Sequence, residues 1–467
     1  MRGPGDGRRE RLPLTFNANL DGPAGVRGRL TPSAHTALGH AFAMHDYLAS
    51  LHDLESAAGS RAPSIDRMSR LMAALGDPQL QLSAVHITGT NGKGSTTALC
   101  AELLHESGRK VGRYTSPHLS IVNERIAVDG ASITDHDLAT ALQEVAHAAR
   151  RIEVTPTWFE AITAAAFIHF VRAAVDFAVV EVGMLGRWDA TNVLDATVAV
   201  VTNVDLDHTE MAGPTKSHIA YEKAGIVRPG ATLVLGERDR LLLPLFEHQL
   251  PRSILWMDRD IHIENAVGAS PGDKADFVTA WSRYDSVAVG LAGGFQRENA
   301  LLAITGAESI LQEPLDGAVV SRVLERASLP GRFEAISRSP LVIVDVAHNP
   351  AAASRIRASI KRQLVKVSPR VLVCGLTIGR CPGEFLAGIG ANDFDHVVAT
   401  QAEFHRAAPA EMIATAAAVL CDSVITERLV ADAVEAAVSL AGEHGAVVVV
   451  GSHYLVGPVR KAFLPCG

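Results

Sequence analysis

The feature that most restricts how this chain can fold is the segment His86-Ile-Thr-Gly-Thr-Asn-Gly-Lys-Gly-Ser-Thr96, a glycine-rich turn between an apolar run and an Ala/Leu-rich stretch. The run from Ser83 to Thr88 reads as a strand, and Thr96 to His105 reads as a helix. Strand, glycine loop and helix in that order build an anion cradle, because consecutive backbone N–H groups and the positive end of the helix face one point. Gly89, Thr90, Asn91, Gly92 and Gly94 supply backbone freedom and donors, while Lys93 reaches the β- and γ-phosphates of a nucleotide. Ser95 and Thr96 add hydroxyls, the first of them placed for a magnesium ion. Gly94 stands where the general nucleotide-loop pattern has Ser or Thr directly after the lysine. The chemistry implied is the use of ATP or GTP.

The strand-and-helix alternation continues. Val175 to Val182 and Thr197 to Val204 read as buried strands, with an amphipathic helix from Phe159 to Arg172 ahead of them. Upstream, Met44, Leu48, Leu51 and Leu54 mark one helix, and Ile65, Met68, Leu71, Met72 and Leu75 mark another. Residues 250–290 alternate like strands with turns, and Asn299 to Leu311 reads as a helix. Beyond Pro330-Gly331 a second α/β pattern begins, with strands at Val342 to Val346, Val371 to Leu376, His396 to Thr400 and Val447 to Gly451.

A chain of 467 residues exceeds one comfortable core. The expected division is a mobile extension over 1–35, a nucleotide-binding domain over 36–336 and a smaller α/β domain over 337–467, with the boundary near Ser337 to Pro340. The net charge of −8 disfavours nucleic acid as a partner. Cys100, Cys374, Cys381, Cys421 and Cys466 are scattered without CxxC spacing, so neither a disulfide framework nor a zinc site is expected, and a reducing cytoplasm fits. No apolar run approaches the roughly 20 residues of a membrane span, so no membrane partner is expected.

Gly-Thr-Asn-Gly-Lys-Gly-Ser resembles the phosphate loop of the Mur ligase superfamily, specifically of folylpolyglutamate and dihydrofolate synthases. Further segments agree in order: Tyr114-Thr-Ser-Pro-His-Leu119, Asn123-Glu-Arg-Ile126, Glu181-Val-Gly183 through Asp189-Ala-Thr-Asn192, Asp207-His208 through Glu222-Lys-Ala-Gly-Ile226, Pro330-Gly-Arg-Phe-Glu334, Asp345-Val-Ala-His-Asn-Pro350 and Gly451-Ser-His-Tyr454. The resemblance runs from about residue 41 to residue 460. It implies a P-loop parallel-sheet ATPase domain plus a smaller, Rossmann-like C-terminal α/β domain, acting as a monomer. The implied activity is ATP-dependent: an acceptor carboxylate takes the γ-phosphate, and the acyl phosphate is captured by the amine of L-glutamate.

The residue roles follow from the same resemblance. Ser95, Ser116 and Glu181 would hold one Mg²⁺; His208 and Lys223, the latter carbamylated by CO2, would hold a second. Arg332 would neutralise phosphate charge, Asp345 and His348 would meet ribose or phosphate, and Gln296 and Asn299 the adenine edge. Ser116, Pro117, His118, Asn123 and Arg125 would face the acceptor, and Arg380, Ser452 and Tyr454 the incoming amino acid. As residues alone, Gln296 and Asn299 read equally as helix-start residues, Lys223 as a partner of Glu222, and Arg125 as an ion-pair partner of Glu124.

Four positions depart from the family pattern. Leu185 replaces a glycine, Val122 a phenylalanine and Val346 a glycine, and Arg380 stands in a segment that lacks the usual Asp-Lys-Asp. These departures motivate a second reading, a ligase for another acceptor or amino acid. A third, from a different class, is a non-catalytic ATP-binding switch; the joint presence of Lys93, Glu181, His208 and Lys223 weighs against it.

Overall fold

A computed structural model of the chain describes residues 46–51, 64–268 and 270–464. The proposed extension over 1–35 and much of the first expected helix lie outside them. Residues 46–50 are helical, and Leu48 packs with Met68, Leu71 and Met72 of the helix Asp66–Ala74 in the first core.

Short Val- and Ala-rich segments buried on both faces build the large sheet. Its strands are β1 (Ala84–Thr88), β2 (Val111–Tyr114), β3 (Ile126–Val128), β4 (Ala131–Ser132), β5 (Phe177–Glu181), β6 (Val198–Val201), β7 (Thr232–Leu235) and β8 (Ser253–Trp256). They lie in the order β4-β3-β2-β5-β1-β6-β7-β8, parallel except for the β2–β3–β4 meander at one edge. β1 is central and every residue in it is buried, so the loop that follows it emerges at the middle of the sheet's C-terminal edge, where open α/β sheets bind ligands. A small antiparallel sheet of β9 (His262–Glu264), β10 (Lys274–Val278) and β11 (Arg283–Ala288) follows.

The second α/β unit has β12 (Glu334–Arg338), β13 (Leu341–Asp345), β14 (Arg370–Cys374), β15 (His396–Ala399), β16 (Val424–Thr426) and β17 (Ala446–Val450), ordered β12-β13-β17-β14-β15-β16. One apolar cluster covers each face, among them Ile356 and Phe385 on one side and Val434 and Val459 on the other. The mixed α/β class with two sheet domains is as expected, but the boundary near Ser337 to Pro340 needs correction. β12 pairs antiparallel with β13, Glu334 opposite Val344 and Arg338 opposite Leu341, so a division between 336 and 337 would cut a strand of the second sheet. The Ser-Pro pair at Ser339-Pro340 is a hairpin turn within that sheet rather than a linker.

Two helices begin earlier than their apolar periodicity indicates. The helix after the glycine loop starts at Lys93 rather than Thr96, because the break falls at Gly92, whose φ is +88°. Its first turn is polar and glycine-bearing, so it escapes a search for apolar repeats. Similarly, the later helix runs Gly294–Leu311, which puts Gln296 and Asn299 inside its first two turns. No helix of the described residues is long and apolar enough to cross a membrane.

The two α/β units meet where the helix His453–Phe463 crosses the segment after β2. A Cβ placed on Gly457 would lie 2.0 Å from the Leu119 carbonyl oxygen, and that oxygen is backbone and cannot swing aside. Gly457→Ala therefore has to part the domains. Small-angle scattering should report a larger radius of gyration and ATP cleavage should fall at least ~10-fold, since a displacement of about 1 Å already costs on the order of 100-fold in such geometry; unchanged scattering and turnover would show that the close approach is not needed.

Candidate functional site

The glycines of the loop are demanded by its surroundings. A Cβ on Gly89, at φ +152°, would lie 1.7 Å from the Thr202 hydroxyl, and one on Gly92 would lie 2.3 Å from Asn299 Oδ1. On Gly94 it would sit 3.3 Å from Glu181 Oε2 and 3.4 Å from an Arg332 nitrogen. The loop is pinned from below: Thr90 N–H donates to the Asn203 carbonyl (3.0 Å), Asn91 N–H to Asn203 Oδ1 (3.1 Å), and the Thr202 hydroxyl to the Asn91 carbonyl (2.7 Å). Lys93 Nζ donates back to the carbonyls of Gly89 (3.0 Å) and Thr90 (3.3 Å), so its ammonium lies over the cradle. The buried hydroxyls of Thr96 and Thr97 have no hydrogen-bond partner among the described residues.

Unlike charges converge around this loop, and the deepest of them, Glu181 and Lys223, are shielded from water. Glu181 ends β5, is 2% exposed and accepts the Ser116 N–H at 3.0 Å. Burial pushes its carboxyl up, while Lys93, the Ser116 amide and Arg332 pull it down. Lys223, on the helix Lys216–Ala224, is 3% exposed; burial first and the Lys93 cation second bring its amine down to about 7, against the opposing pull of Asp207, Glu222 and Asp189. Glu222 itself is hydrogen-bonded to Trp188, and the ion pair with Lys223 is not formed among the described residues. His208 sits at φ +50° at the start of a short helix, and burial lowers its imidazole to about 4 despite Asp207. The site thus offers a neutral imidazole and an amine poised between its two forms.

Asp207 is the junction between the domains. Its carboxylate accepts from Arg380 and from Asn349 Nδ2 (3.1 Å), with His348 Nε2 3.9 Å away. Burial works to raise its pKa, yet His208, Arg380 and His348 hold the carboxyl far below the usual range. Asn349 also caps the helix Pro350–Gln363 and bonds Asn91 in the glycine loop (3.1 Å). Arg380, expected on the incoming amino acid, is thereby engaged by Asp207 in this arrangement.

One interdomain cleft of about 220 Å³ is lined by Thr90 to Gly94, Ser116, Pro117, Glu181, His208, Arg332, His348, Arg380, Ser452 and Tyr454. Ser95 and His118 line an adjoining cavity. Other candidates are not brought to the cleft. Asn123 gives its amide to the Ile133 carbonyl and Asp135, each at 2.9 Å, which fixes the link between β4 and the helix Asp135–Arg151. Asp345 accepts the N–H groups of Phe333 (2.8 Å) and Ala347 (2.7 Å), so it braces the Arg332 segment rather than facing nucleotide. Gln296 and Asn299 are buried and bonded to each other at 2.9 Å, with Asn299 pressed under Gly92; they shape the loop from behind. Arg125 is buried over Trp158, 4.5 Å from the ring centre, and donates to His118 Nδ1 (3.0 Å), whereas Glu124 is spent on the amides of Leu119 and Ile121.

Leu185 adopts φ +61° with its carbonyl held by the Thr88 hydroxyl at 2.7 Å. The turn keeps the backbone that a glycine would favour and leaves the strain on a leucine. Sequence reasoning gave no role to Asp207 itself, to His453 or to Phe404, which stacks on Tyr454 at 3.8 Å with the rings nearly parallel. Asp207 carried a signal in its adjacency to His208; Phe404 carried none.

The donor set fits magnesium. Among the described residues no three His, Cys, Asp or Glu side chains form a ready-made cage, and magnesium ordinarily takes one or two carboxylates and completes its shell with water and phosphate oxygens. Glu181, with the Ser95 and Ser116 hydroxyls, meets that need; His208 suits a second ion, with Lys223 joining only in a non-cationic form.

Comparisons with known proteins converge. Residues 87–307 match the Mur ligase middle domain and residues 331–453 the Mur ligase, glutamate ligase domain. The chain is 34% identical over 314 residues to the dihydrofolate synthase/folylpolyglutamate synthase of Bacillus subtilis, covering 64% of this chain and 73% of that one. It superposes on the Mycobacterium tuberculosis folylpolyglutamate synthase complexed with ADP and AMPPCP with a TM-score of 0.82 and 31% identity, over 91% of this chain and 99% of that one. The Yersinia pestis bifunctional folylpolyglutamate synthase/dihydrofolate synthase complexed with AMPPNP and Mn ion aligns with a TM-score of 0.78 and 28% identity, over 90% and 97%.

The depressed Lys223 amine makes a signed prediction. The unfolded chain keeps this proton up to about pH 10.5 while the folded chain releases it near 7, so stability rises with pH across that interval. Lys223→Met should therefore stabilise the protein most below pH 7, and the melting-temperature gap to the wild type should shrink as pH climbs towards 10; a gap independent of pH would contradict the burial of this amine.

Proposed function

Because the chain belongs to the folylpolyglutamate/dihydrofolate synthase family of Mur ligases, we propose that it joins L-glutamate to the carboxylate of a folate-type acceptor at the cost of ATP, yielding ADP and phosphate. The observation that carries this reading is the meeting of the loop lysine, Glu181, His208 and Arg332 in one interdomain cleft.

In this reading the triphosphate lies along the glycine loop, with Lys93 and Arg332 on the β- and γ-phosphates. An acceptor carboxylate oxygen attacks the γ-phosphorus, ADP leaves, and the acyl phosphate stays in the cleft. The glutamate amine then attacks the carbonyl carbon and phosphate departs. Such transfer is chiefly positioning and charge neutralisation, which explains why Lys93 and Arg332 meet at one point. Ser95, Ser116 and Glu181 would hold one magnesium ion, and His208 with carbamylated Lys223 a second, and these ions would supply further neutralisation. A lysine amine near 7 is nucleophilic towards CO2 at neutral pH; its carbamate is anionic and turns a repelled cation into an oxygen ligand. Ser452 and Tyr454, with Arg380 once it leaves Asp207, would meet the incoming amino acid, and His118, held from behind by Arg125, the acceptor. The protein acts as a monomer in a reducing cytoplasm, in keeping with cysteines that are all unpaired among the described residues.

Val122, which stands where the family pattern has phenylalanine, and the segment of Arg380, which lacks the usual Asp-Lys-Asp, favour a second reading in which the same chemistry serves another acceptor or amino acid. Phosphate release with ATP and Mg²⁺ on dihydropteroate or tetrahydrofolate, with and without L-glutamate, separates the two. Glutamate-dependent release supports the first reading, release only with other carboxylates or amines supports the second, and none with any carboxylate contradicts both. Turnover should also fall several-fold in CO2-depleted buffer and return with bicarbonate, whereas Lys223→Ala should stay inactive with or without it; indifference of the wild type to CO2 would dismiss the carbamate.

A further inference from the structure

Polar side chains inside a central strand are costly unless their hydrogen bonds are spent on something, and β1 carries two of them. Val85 and Ile87 point to one face of the sheet, into the core cluster that includes Leu99 and Leu103 of the helix after the glycine loop. His86 and Thr88 alternate with them, point to the other face and are wholly buried. Both are spent on the segment that follows β5. The Thr88 hydroxyl holds the Leu185 carbonyl, and His86 Nε2 meets the Thr191 hydroxyl at 2.8 Å.

The partners fix where the protons lie. The Thr191 hydroxyl donates to Asp189 Oδ1 at 2.5 Å, and the Asp189 carboxylate also accepts the N–H groups of Thr191 (3.0 Å) and Met184 (2.8 Å). Burial first, and the Arg228 cation second, bring the His86 imidazole down to about 3, so the ring is neutral. Its Nδ1 has no hydrogen-bond partner among the described residues. A buried core tolerates an unpaired lone pair better than an unpaired N–H, so the ring proton sits on Nε2. His86 therefore donates to Thr191, Thr191 donates to Asp189, and Asp189 gathers amides at the head of the turn. A ring left with one nitrogen unpaired is a poor choice for stability alone, since an apolar side chain would fill the same place.

The far end of this relay is the cleft. Gly183 and Met184 line it directly after Glu181 and Val182, and the same segment is pressed against the helix that carries Lys223. A Cβ on Gly186 would lie 2.7 Å from the Glu222 carbonyl oxygen and 3.1 Å from Lys223 Cα. Arg187 N–H donates to that carbonyl at 2.8 Å, and Asn192 Nδ2 to the Gly225 carbonyl at 3.1 Å. The segment thus sets how Glu181 and Lys223 stand relative to each other. We propose that His86 is a positioning residue for the two magnesium sites: through Thr191 and Asp189 it fixes the turn that joins Glu181 to the Lys223 helix. The metal-binding part of this proposal rests on the ligase reading above, and the relay itself does not.

Three measurements on wild type, His86→Met, His86→Gln and Thr191→Val test it: backbone amide exchange in the metal-free protein, Mn²⁺ titration followed by electron paramagnetic resonance in the presence of ADP, and steady-state phosphate release. His86→Met removes the donor, and His86→Gln keeps an N–H on a side chain of comparable reach. In His86→Met and Thr191→Val, exchange over residues 183–193 should be about tenfold faster, Mn²⁺ affinity and kcat about tenfold lower, and KM for ATP within about twofold of wild type. The melting temperature of metal-free His86→Met should stay at or above that of wild type, and His86→Gln should recover most of the loss. The double variant should be no worse than the poorer single one, because one relay is broken once. Unchanged exchange in both single variants, or additive losses in the double, overturns the relay. Faster exchange with Mn²⁺ affinity and kcat unchanged, or activity that falls only in step with the melting temperature, overturns the positioning role and leaves the ligase reading intact. A wild type that releases phosphate with no carboxylate overturns the ligase reading instead, and exchange and Mn²⁺ affinity still decide the role of His86.

Discussion

The arrangement depends on one electrostatic fact: several full charges are held nearly dry at the C-terminal ends of β1 and β5. Glu181 and Lys223 are both buried, with Lys93 beside them: the Lys93 cation steadies the charge on Glu181, whereas the same cation works against a charge on Lys223. Burial of a single ion would cost several kcal/mol, so the two lysines and the carboxylate have to be read together. The set brings lysines beside a glycine loop at a helix N-terminus, a ground state built to receive a polyanion.

The second constraint is steric. Gly89 and Gly92 each fill a spot where a methyl group would strike Thr202 or Asn299, and Gly94 one where it would press against Glu181 and Arg332. Residues with no direct access to the cleft thus set its shape: Asn299 and Gln296 brace the loop from behind, Asp345 braces Arg332, and Asn203 pins the loop backbone. Asp207 then ties the second domain to the first through Arg380 and Asn349. Closure and site assembly are in this sense the same event, because the groups that close the domains also finish the cleft.

Much of this was legible in the sequence because it depends on local rules. A buried valine run reads as a strand, and a strand–glycine loop–helix succession reads as a phosphate site, so β1 was located to within a residue and the end of its loop to within three. The resemblance added the long-range partners, of which Lys93, Ser116, Glu181, His208 and Arg332 do share the cleft. What was not legible was how polar side chains spend their hydrogen bonds. Asn123 and Asp345 are committed to backbone groups, and no periodicity distinguishes such a residue from one that faces a ligand. The domain boundary was missed for a related reason: Ser339-Pro340 has linker composition but serves a hairpin. Leu185 shows the reverse, a residue of the wrong type holding the backbone conformation that the site requires.

The central claim is that an acceptor carboxylate oxygen attacks the γ-phosphorus of ATP held over Lys93. Isotope transfer tests it most directly: an acceptor labelled with ¹⁸O in its reacting carboxyl group is turned over with ATP, Mg²⁺ and L-glutamate, and the released phosphate is examined by mass spectrometry. The account predicts one ¹⁸O atom in each phosphate and the other in the new amide. Phosphate free of label would contradict it.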